Sequence, residues 1–402
     1  MNGLLLDISI VFCYNHSMKT YSFKLYISNK NKHLHQQINL ACDIYNHCIA
    51  LHKRYYRLYG KYPHVYEIQK HITRLKKLPK YRHWKNLNSQ AIQDITERID
   101  RAYRLFFRNL KAGVRAAPPS FRKRRKYRSF SLKQTGYKLL ENNNIRIGNR
   151  VYRYFKSREI DGNIKLLTVK RDSLGDVYLF FVTDTVESKE SARTGEIVGF
   201  DFGLKTYLTA SDGNDIQSPQ FFRERLNDIR RASCNLSRKQ RGSKNRQKAR
   251  MELARLHRQL QNQRNDFHFK LANDLTDRYD VMVFETLNLK AMHRMWGRKI
   301  SDLGFASFIS IIKYLASTKG KTVVFTGRFE PTSKTCSSCG YVNDELALSM
   351  RSWLCPECNT HHDRDRNASY NILRVGASTL GLGDVRPTVG VYCNAPLQAI
   401  SA

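Results

Sequence analysis

Acidic residues are scarce in this 402-residue chain: 34 Asp and Glu stand against 70 Lys and Arg, a formal net charge of +36. So large an imbalance excludes an ordinary mixed surface and makes a polyanion the natural partner. The charge is spread along the chain, which puts nucleic acid ahead of membrane. Long apolar runs are also missing. None approaches the roughly 20 residues of a spanning helix, so no membrane partner is expected. The first 17 residues, MNGLLLDISIVFCYNHS, hold a short apolar patch with an Asp inside it. They lack a basic leading region and a small-residue cleavage site, and so do not read as a signal peptide. Met18 is an alternative start, and residues 1–17 are expected to be peripheral. No internal repeat stands out. What is present is 41% hydrophobic residues, enough for real cores, in a length that suits two or three domains.

Nine cysteines occur. Cys13, Cys42, Cys48, Cys234 and Cys393 are scattered, as reduced cytosolic thiols are. The other four are paired: Cys336-x2-Cys339, fifteen residues, then Cys355-x2-Cys358. A Cys-x2-Cys turn lets two thiolates grip one ion, and two such turns complete a tetrahedron that suits zinc. Four thiolates leave no open position, so the site is expected to be structural. A disulfide-bonded loop would need an oxidising compartment, of which the sequence shows no sign. His361 and His362 lie close by and are expected to be polar loop residues rather than ligands.

Periodicity divides the chain. Alternation over Lys19–Ile27 predicts a strand. Ala41, Ile44, Tyr45, Cys48, Leu51, Tyr55 and Leu58 form a helical stripe that Gly60 ends. A second helix is expected from about Val65 to Leu78, and a third capped by Asn88. The third has an apolar face opposite Arg98, Arg101, Arg104 and Arg108, a row that suits phosphates as well as solvent. Residues 121–132, FRKRRKYRSFSL, interleave basic residues with Phe121, Tyr127 and Phe130, which could stack on bases or pack beneath. Residues 145–186 read as strands of a small antiparallel barrel or sheet, which Lys19–Ile27 could join. A new unit starts near Gly195 with a buried strand over Val198–Phe202. Residues 223–264 hold fourteen Lys or Arg against three acids. They predict a hairpin of two basic helices around Gly242 that serves as a nucleic-acid surface. Strands at Asp280–Glu285 and Lys321–Thr326, and helices at Phe305–Ala316 and Asn367–Arg374, complete an alternating β/α unit.

Carboxylates are placed unexpectedly for so basic a chain. Asp201 lies in an apolar strand, Glu285 ends one, and Asp363 and Asp365 stand at the start of a helix. Each alone is explained by a cap or an ion pair. Three separated acids on a β/α unit together match a metal-dependent nuclease of RNase H-like fold. There two Mg²⁺ about 4 Å apart would activate a water and stabilise the leaving oxygen of a phosphodiester. Carboxylates suit this hard cation.

The segments GFDFGLKTYLTASDG, VFETLNLKAM, TSKTCSSCGYVN and HDRDRNASYNI resemble the motifs of TnpB (OrfB-type) proteins of bacterial insertion sequences. The basic GSKNRQKARMELARLHRQLQNQRNDFHFKLANDL and the stretches LNSQAIQDITERIDRAYRLFF and PPSFRKRRKYRSFSL resemble them too. The likeness covers about Met18 to Arg374. It implies an RNA-guided DNA endonuclease related to type V CRISPR nucleases; an older description is a transposase or its accessory. The implied architecture is α/β and multi-domain. Residues 18–33 and 118–192 would form a wedge β-barrel, interrupted by a helical recognition domain at 34–117. Residues 193–330 and 361–376 would form a RuvC-like nuclease domain with a zinc ribbon inserted at 331–360, and 377–402 a flexible tail. The motif match makes Asp201 the first acid, Glu285 the second and Asp365 the third, with Asp363 as runner-up, and the four cysteines match one for one. The implied cofactors are structural Zn²⁺ and catalytic Mg²⁺. The implied partners are a guide RNA from the transposon end and double-stranded target DNA, with one protein per RNA in the cytoplasm or on the nucleoid. The 1–17 extension and Phe202 after the first acid depart from the family pattern. A binding protein without cleavage, regulating transposition, is the competing reading, and the intact acids favour the nuclease.

Overall fold

The structure, a computed structural model, describes residues 18–185, 191–219, 221–288, 302–347 and 349–382, with 292, 294 and 297 besides. Expectations for residues 1–17 and 383–402 lie outside the described residues. The chain divides into two compact units near residues 186–187.

The first unit contains β1 (Lys19–Lys24), β2 (Ser129–Leu132), β3 (Tyr137–Leu140), β4 (Asn144–Ile147), β5 (Arg150–Arg153), β6 (Ile164–Arg171) and β7 (Val177–Thr183). Two antiparallel sheets result, ordered β1-β7-β6-β2 and β3-β4-β5. A bridge between Leu25 and Tyr154 links them. Period-2 alternation decides the faces. Tyr21, Phe23, Leu25, Tyr152 and Tyr154 are buried beside Phe181 and Leu179, while Ser22, Tyr26, Arg153 and Phe155 face out.

Three helices enter between β1 and β2: α1 (Asn31–Tyr59), α2 (Val65–Leu75) and α3 (Ser89–Lys111). The first starts ten residues before the stripe read from Ala41, because Leu34, Gln37 and Ile38 extend the buried face backwards. Gly60, at φ 62°, closes it in the left-handed conformation that glycine adopts without strain. Asn88 caps α3 by accepting from the Gln90 N–H. The arginine row on α3 is less free than its sequence suggests. Buried Asp94 pairs with Arg98 at 2.7 Å, and buried Asp100 pairs with Arg104. In the basic run that follows, Phe130 belongs to the core and Tyr127 packs against Tyr45, leaving Phe121 exposed beneath the Lys53 ammonium.

The second unit is built on a five-stranded mixed sheet, ordered β10-β9-β8-β11-β12. Its strands are β8 (Ile197–Phe202), β9 (Thr206–Ala210), β10 (Ile216–Gln217), β11 (Val281–Phe284) and β12 (Thr322–Phe325). The first three pair antiparallel, whereas β8, β11 and β12 run parallel. Basic helices α4 (Phe221–Arg238) and α5 (Lys244–Arg278) form the expected hairpin. However, α5 runs fourteen residues past the predicted end, because Leu271, Ala272 and Leu275 are buried in the core. Helix α6 (Phe305–Lys319) covers the same face. On the sheet's entry edge, buried Lys321 pairs with Asp280, which also accepts from the Thr194 and Gly195 N–H groups.

Helix α7 (Arg364–Thr379) lies on β8 and β11. Glycine permits that approach. A Cβ on Gly199 would sit 2.4 Å from the Ser369 carbonyl oxygen and 2.6 Å from the Leu373 nitrogen, both backbone atoms. A Cβ on Gly376 would meet Val283 at 2.3 Å. The helix extends to Thr379 with Ala377 buried, so it continues into the segment expected to be tail.

Gly199→Ala should therefore force helix and sheet apart. A loss of at least about 1–3 kcal/mol is expected from overpacking, read by urea denaturation. Wild-type stability would show that the two backbones are not held this close.

Candidate functional site

Between β12 and α7 the chain makes two tight turns that mirror each other. The Cys336 N–H donates to the Tyr341 carbonyl and the Gly340 N–H to the Cys336 carbonyl. The Cys355 N–H donates to Thr360 and the Asn359 N–H to Cys355 in the same pattern. Gly340 and Asn359 take positive φ at the matching position, 86° and 54°. Each turn aims two sulfurs inward, and all four Sγ atoms lie within 4.8 Å of one another. Cys336 and Cys358 are 3.6 Å apart, as are Cys339 and Cys355. A disulfide needs about 2.05 Å. Four sulfurs at about 2.3 Å from one zinc ion lie about 3.8 Å apart. The donor set and its spacing thus fit zinc and exclude a bridge. Strands β13 (Ser352–Leu354) and β14 (His361–Asp363) pair antiparallel beside it. His362 is a correction to the loop expectation. It is buried in β14, its ring lies tilted against Trp353, and its Nε2 lies 3.0 Å from Cys336 Sγ. With four thiolates around the ion, it is placed to hydrogen-bond a ligand sulfur.

The acids gather at the carboxyl ends of the parallel strands. Phe200 of β8 is in register with Phe284 of β11, so the next residues, Asp201 and Glu285, emerge side by side at the carboxyl ends of parallel strands. That end is where open α/β sheets place ligands. The two carboxyls lie close enough that each alters the other's protonation. Asp365 comes from the first turn of α7. Burial, then the nearness of Glu285 and Asp365, lifts the Asp201 carboxyl well above the usual range, with Arg364 acting in the opposite sense. Burial lifts Glu285 to about 7, and Asp365 adds to the shift. Like charges out of water favour protonation or a cation between them.

The structure thus brings Asp201, Glu285 and Asp365 into one electrostatic cluster. Among the described residues only the four thiols come within ligand spacing of one another as a group of three or more. The acids lie farther apart, with Asp365 drawn toward Arg351 at 3.4 Å. Asp363 has a different task. It is exposed and caps α7 by accepting from the Arg366 N–H at 2.9 Å.

Two residues that sequence reasoning passed over tie both halves together. Asn367, buried in α7, donates to the Thr335 carbonyl at 2.7 Å and accepts from the Ser337 N–H at 2.9 Å. Asn371, one turn on, donates to the carbonyls of Thr332 and Thr335 at 2.8 and 2.6 Å. The signal was two asparagines at i, i+4 on a helix with few other polar buried positions. The zinc-type turns and Asp365 therefore share one helix.

The second unit thus combines mixed α/β content, a four-cysteine cluster and acids at the sheet's carboxyl edge. The fold of the chain matches the protein chain of "Cryo-EM structure of the Cas12f1-sgRNA-target DNA complex" with a TM-score of 0.55 and 15% identity, covering 86% of this chain and 83% of that one. Residues 180–295 match the OrfB_IS605 family, described as "Probable transposase", and residues 305–372 match the Cas12f1-like TNB domain. The chain therefore carries an OrfB-type transposase segment followed by a Cas12f1-like TNB segment. A Streptomyces pristinaespiralis protein is 34% identical over 55% of this chain, and an Escherichia coli K12 protein is 26% identical over 90%. Both carry the name "Putative RNA-guided DNA endonuclease", the second with the designation InsQ. TnpB-like protein L79 of Acanthamoeba polyphaga mimivirus is 28% identical over 53% of the chain. The matches span 55% of the Streptomyces protein, 43% of the mimivirus protein and 93% of InsQ. No helix of the described residues is long and apolar enough to cross a membrane.

Cys358→Ser should lower zinc content and stability together, because forming the site is coupled to folding. Metal analysis with thermal melts reads both, and full zinc retention would contradict the centre. A second expectation concerns pH. A carboxyl whose folded pKa is raised stabilises the fold fully below its unfolded value of about 4. That contribution is lost as pH rises through about 7, the folded value for Glu285. Without divalent metal, Asp201→Asn should thus be more stable than wild type at about pH 8 and gain nothing at about pH 4. Parallel denaturation curves at the two pH values check the sign.

Proposed function

We propose that this chain is an RNA-guided DNA endonuclease of a bacterial insertion sequence. The observation that carries the reading is the mutual perturbation of Asp201, Glu285 and Asp365, brought from two strands and a helix to one sheet edge. The names of the relatives and the Cas12f1-type fold support it. The second unit would be a RuvC-like, RNase H-like nuclease domain with an inserted structural zinc ribbon. The two sheets of the first unit would be the wedge and its helices the recognition domain.

The three carboxylates fit Mg²⁺: they are hard oxygen donors, and two of them are too buried to ionise readily without a cation. Bound ions would activate a water and stabilise the leaving oxygen of a phosphodiester. The chain's own contribution is positioning. The carboxyl ends of β8 and β11 present Asp201 and Glu285, and the start of α7 presents Asp365. The basic helices hold phosphates, and the zinc ribbon braces α7. One protein would hold one guide RNA derived from the transposon end. Base pairing would select the double-stranded DNA, and the protein itself would read a short adjacent motif and the heteroduplex shape.

The test supplies copurifying RNA and a DNA matching its variable end. Asp201→Asn, Glu285→Gln and Asp365→Asn should each reduce cleavage by more than about 100-fold, beyond the 10–100-fold typical of outer-shell changes. RNA binding should survive, and EDTA should abolish wild-type cleavage. Asp363→Asn should cut DNA, because its carboxyl serves as a helix cap. Cleavage by Asp201→Asn at the wild-type rate would leave a non-cleaving binder that regulates transposition.

A further inference from the structure

The outward face where β1 meets β5 carries a short stack of rings. Leu25 and Tyr154 form the bridge and point into the core. Alternation therefore sends their neighbours Tyr26, Arg153 and Phe155 outward. The backbone fixes all three: the Tyr26 N–H donates to the Arg153 carbonyl at 3.0 Å, and the Phe155 N–H to the Lys24 carbonyl at 2.8 Å. The Asn31 side chain donates to the Tyr26 carbonyl at 2.9 Å. Tyr26 and Phe155 lie face to face, centroids 3.6 Å apart and planes 22° apart. The Arg153 guanidinium covers the Tyr26 ring at 5.1 Å. Tyr26 thus meets both the Arg153 cation and the ring of Phe155. Phe155 is 47% exposed, Tyr26 37% and the adjacent Ile27 85%. Among the described residues, Tyr26 is the ring partner of Phe155.

We infer that Phe155 is a stacking platform for an unpaired nucleobase. Three observations converge. The ring spacing is close to the rise of about 3.4 Å per nucleotide in a base stack, so a base on Phe155 continues an existing series. The stack is pre-ordered by main-chain pairing, which removes much of the entropy cost of binding. Its rim is cationic, with Arg153 against Tyr26, and the whole chain carries +36. A protein partner would need a wider apolar patch, whereas a base needs one face and a backbone cation nearby. The ligand class is a single-stranded segment, whether unpaired RNA or displaced DNA. The inference rests on the nucleic-acid reading above but not on the acid cluster.

The test uses the full chain freed of copurifying nucleic acid by high salt, with fluorescent 12-mers of oligo(rU), oligo(rA) and oligo(dT). Base–aromatic stacking is expected to contribute about 5- to 100-fold in affinity. Phe155→Ala and Phe155→Leu should both lose that factor, while Phe155→Trp should bind like wild type and lose fluorescence on binding. The slope of log affinity against log salt should not change, since no phosphate contact is removed. Loss with the RNA probes alone, or with DNA alone, identifies the strand. Wild-type affinity in Phe155→Leu would overturn the platform, as would equal losses in Phe155→Leu and Phe155→Trp with unchanged melting. A wild-type chain whose affinity ignores salt would instead contradict the nucleic-acid reading itself, so the two failures are distinct.

Discussion

The second unit depends on the contact of α7 with β8 and β11. At Gly199 it is made against the backbone of α7, and at Gly376 against the Val283 side chain, so glycine at both positions lets it close. A packed interior has no slack to absorb an added methyl there. That closeness sets the height of the helix above the sheet. It thereby decides how far the Asp365 carboxyl stands from Asp201 and Glu285. The same helix carries Asn367 and Asn371, which hold the entrance of the four-cysteine turns by four hydrogen bonds to the backbone. One packing constraint thus orients both the acidic edge and the metal-type turns.

Buried polar groups bind these parts where apolar packing is thin. The four-cysteine segment has a small core of Cys336, Leu346, Trp353 and Cys355. So small a core does not hold a fold by burial alone, which is why a metal fits the physics as well as the spacing. At the opposite end of the sheet, Lys321 and Asp280 anchor the chain's entry into the second unit. Breaking either partner would strand the other charge away from water.

Much of this was legible in the sequence, and the reasons are local. Apolar periodicity found the strands and helices, paired cysteines found the thiol cluster, and the apolar setting of Asp201 marked it as unusual. What periodicity could not see was tertiary. The start of α7 was placed at Asn367, since Arg364 and Arg366 break the apolar pattern. The helix begins at Arg364 because Asp363 caps it, which separates the tasks of two aspartates only two residues apart. Arg98 and Arg104 read as a free cationic row because Asp94 and Asp100 lie a turn away on the buried side. His362 read as loop because a three-residue strand has no periodicity to detect. The stack at Phe155 was hidden for a different reason. Tyr26 and Phe155 are 129 positions apart, and only strand pairing makes them neighbours.

An acidic cluster in so basic a chain raises the question of why nearby arginines do not neutralise it. The structure answers by commitment of partners. Arg364, at the base of α7, donates to the Ala347 carbonyl at 3.0 Å and to that of Met350 at 3.5 Å. Arg366 is taken by Asp215 at 2.8 Å and by the Ala210 carbonyl. Arg351 reaches Asp365 alone of the three acids, from a largely exposed position where solvent weakens the attraction. The arginines thus brace the backbone around the site instead of filling it. Burial and mutual nearness disfavour ionisation of Asp201 and Glu285, and among the described residues the fold supplies no cation that offsets this. A carboxylate group held in that state is stabilised by whatever cation enters from solvent.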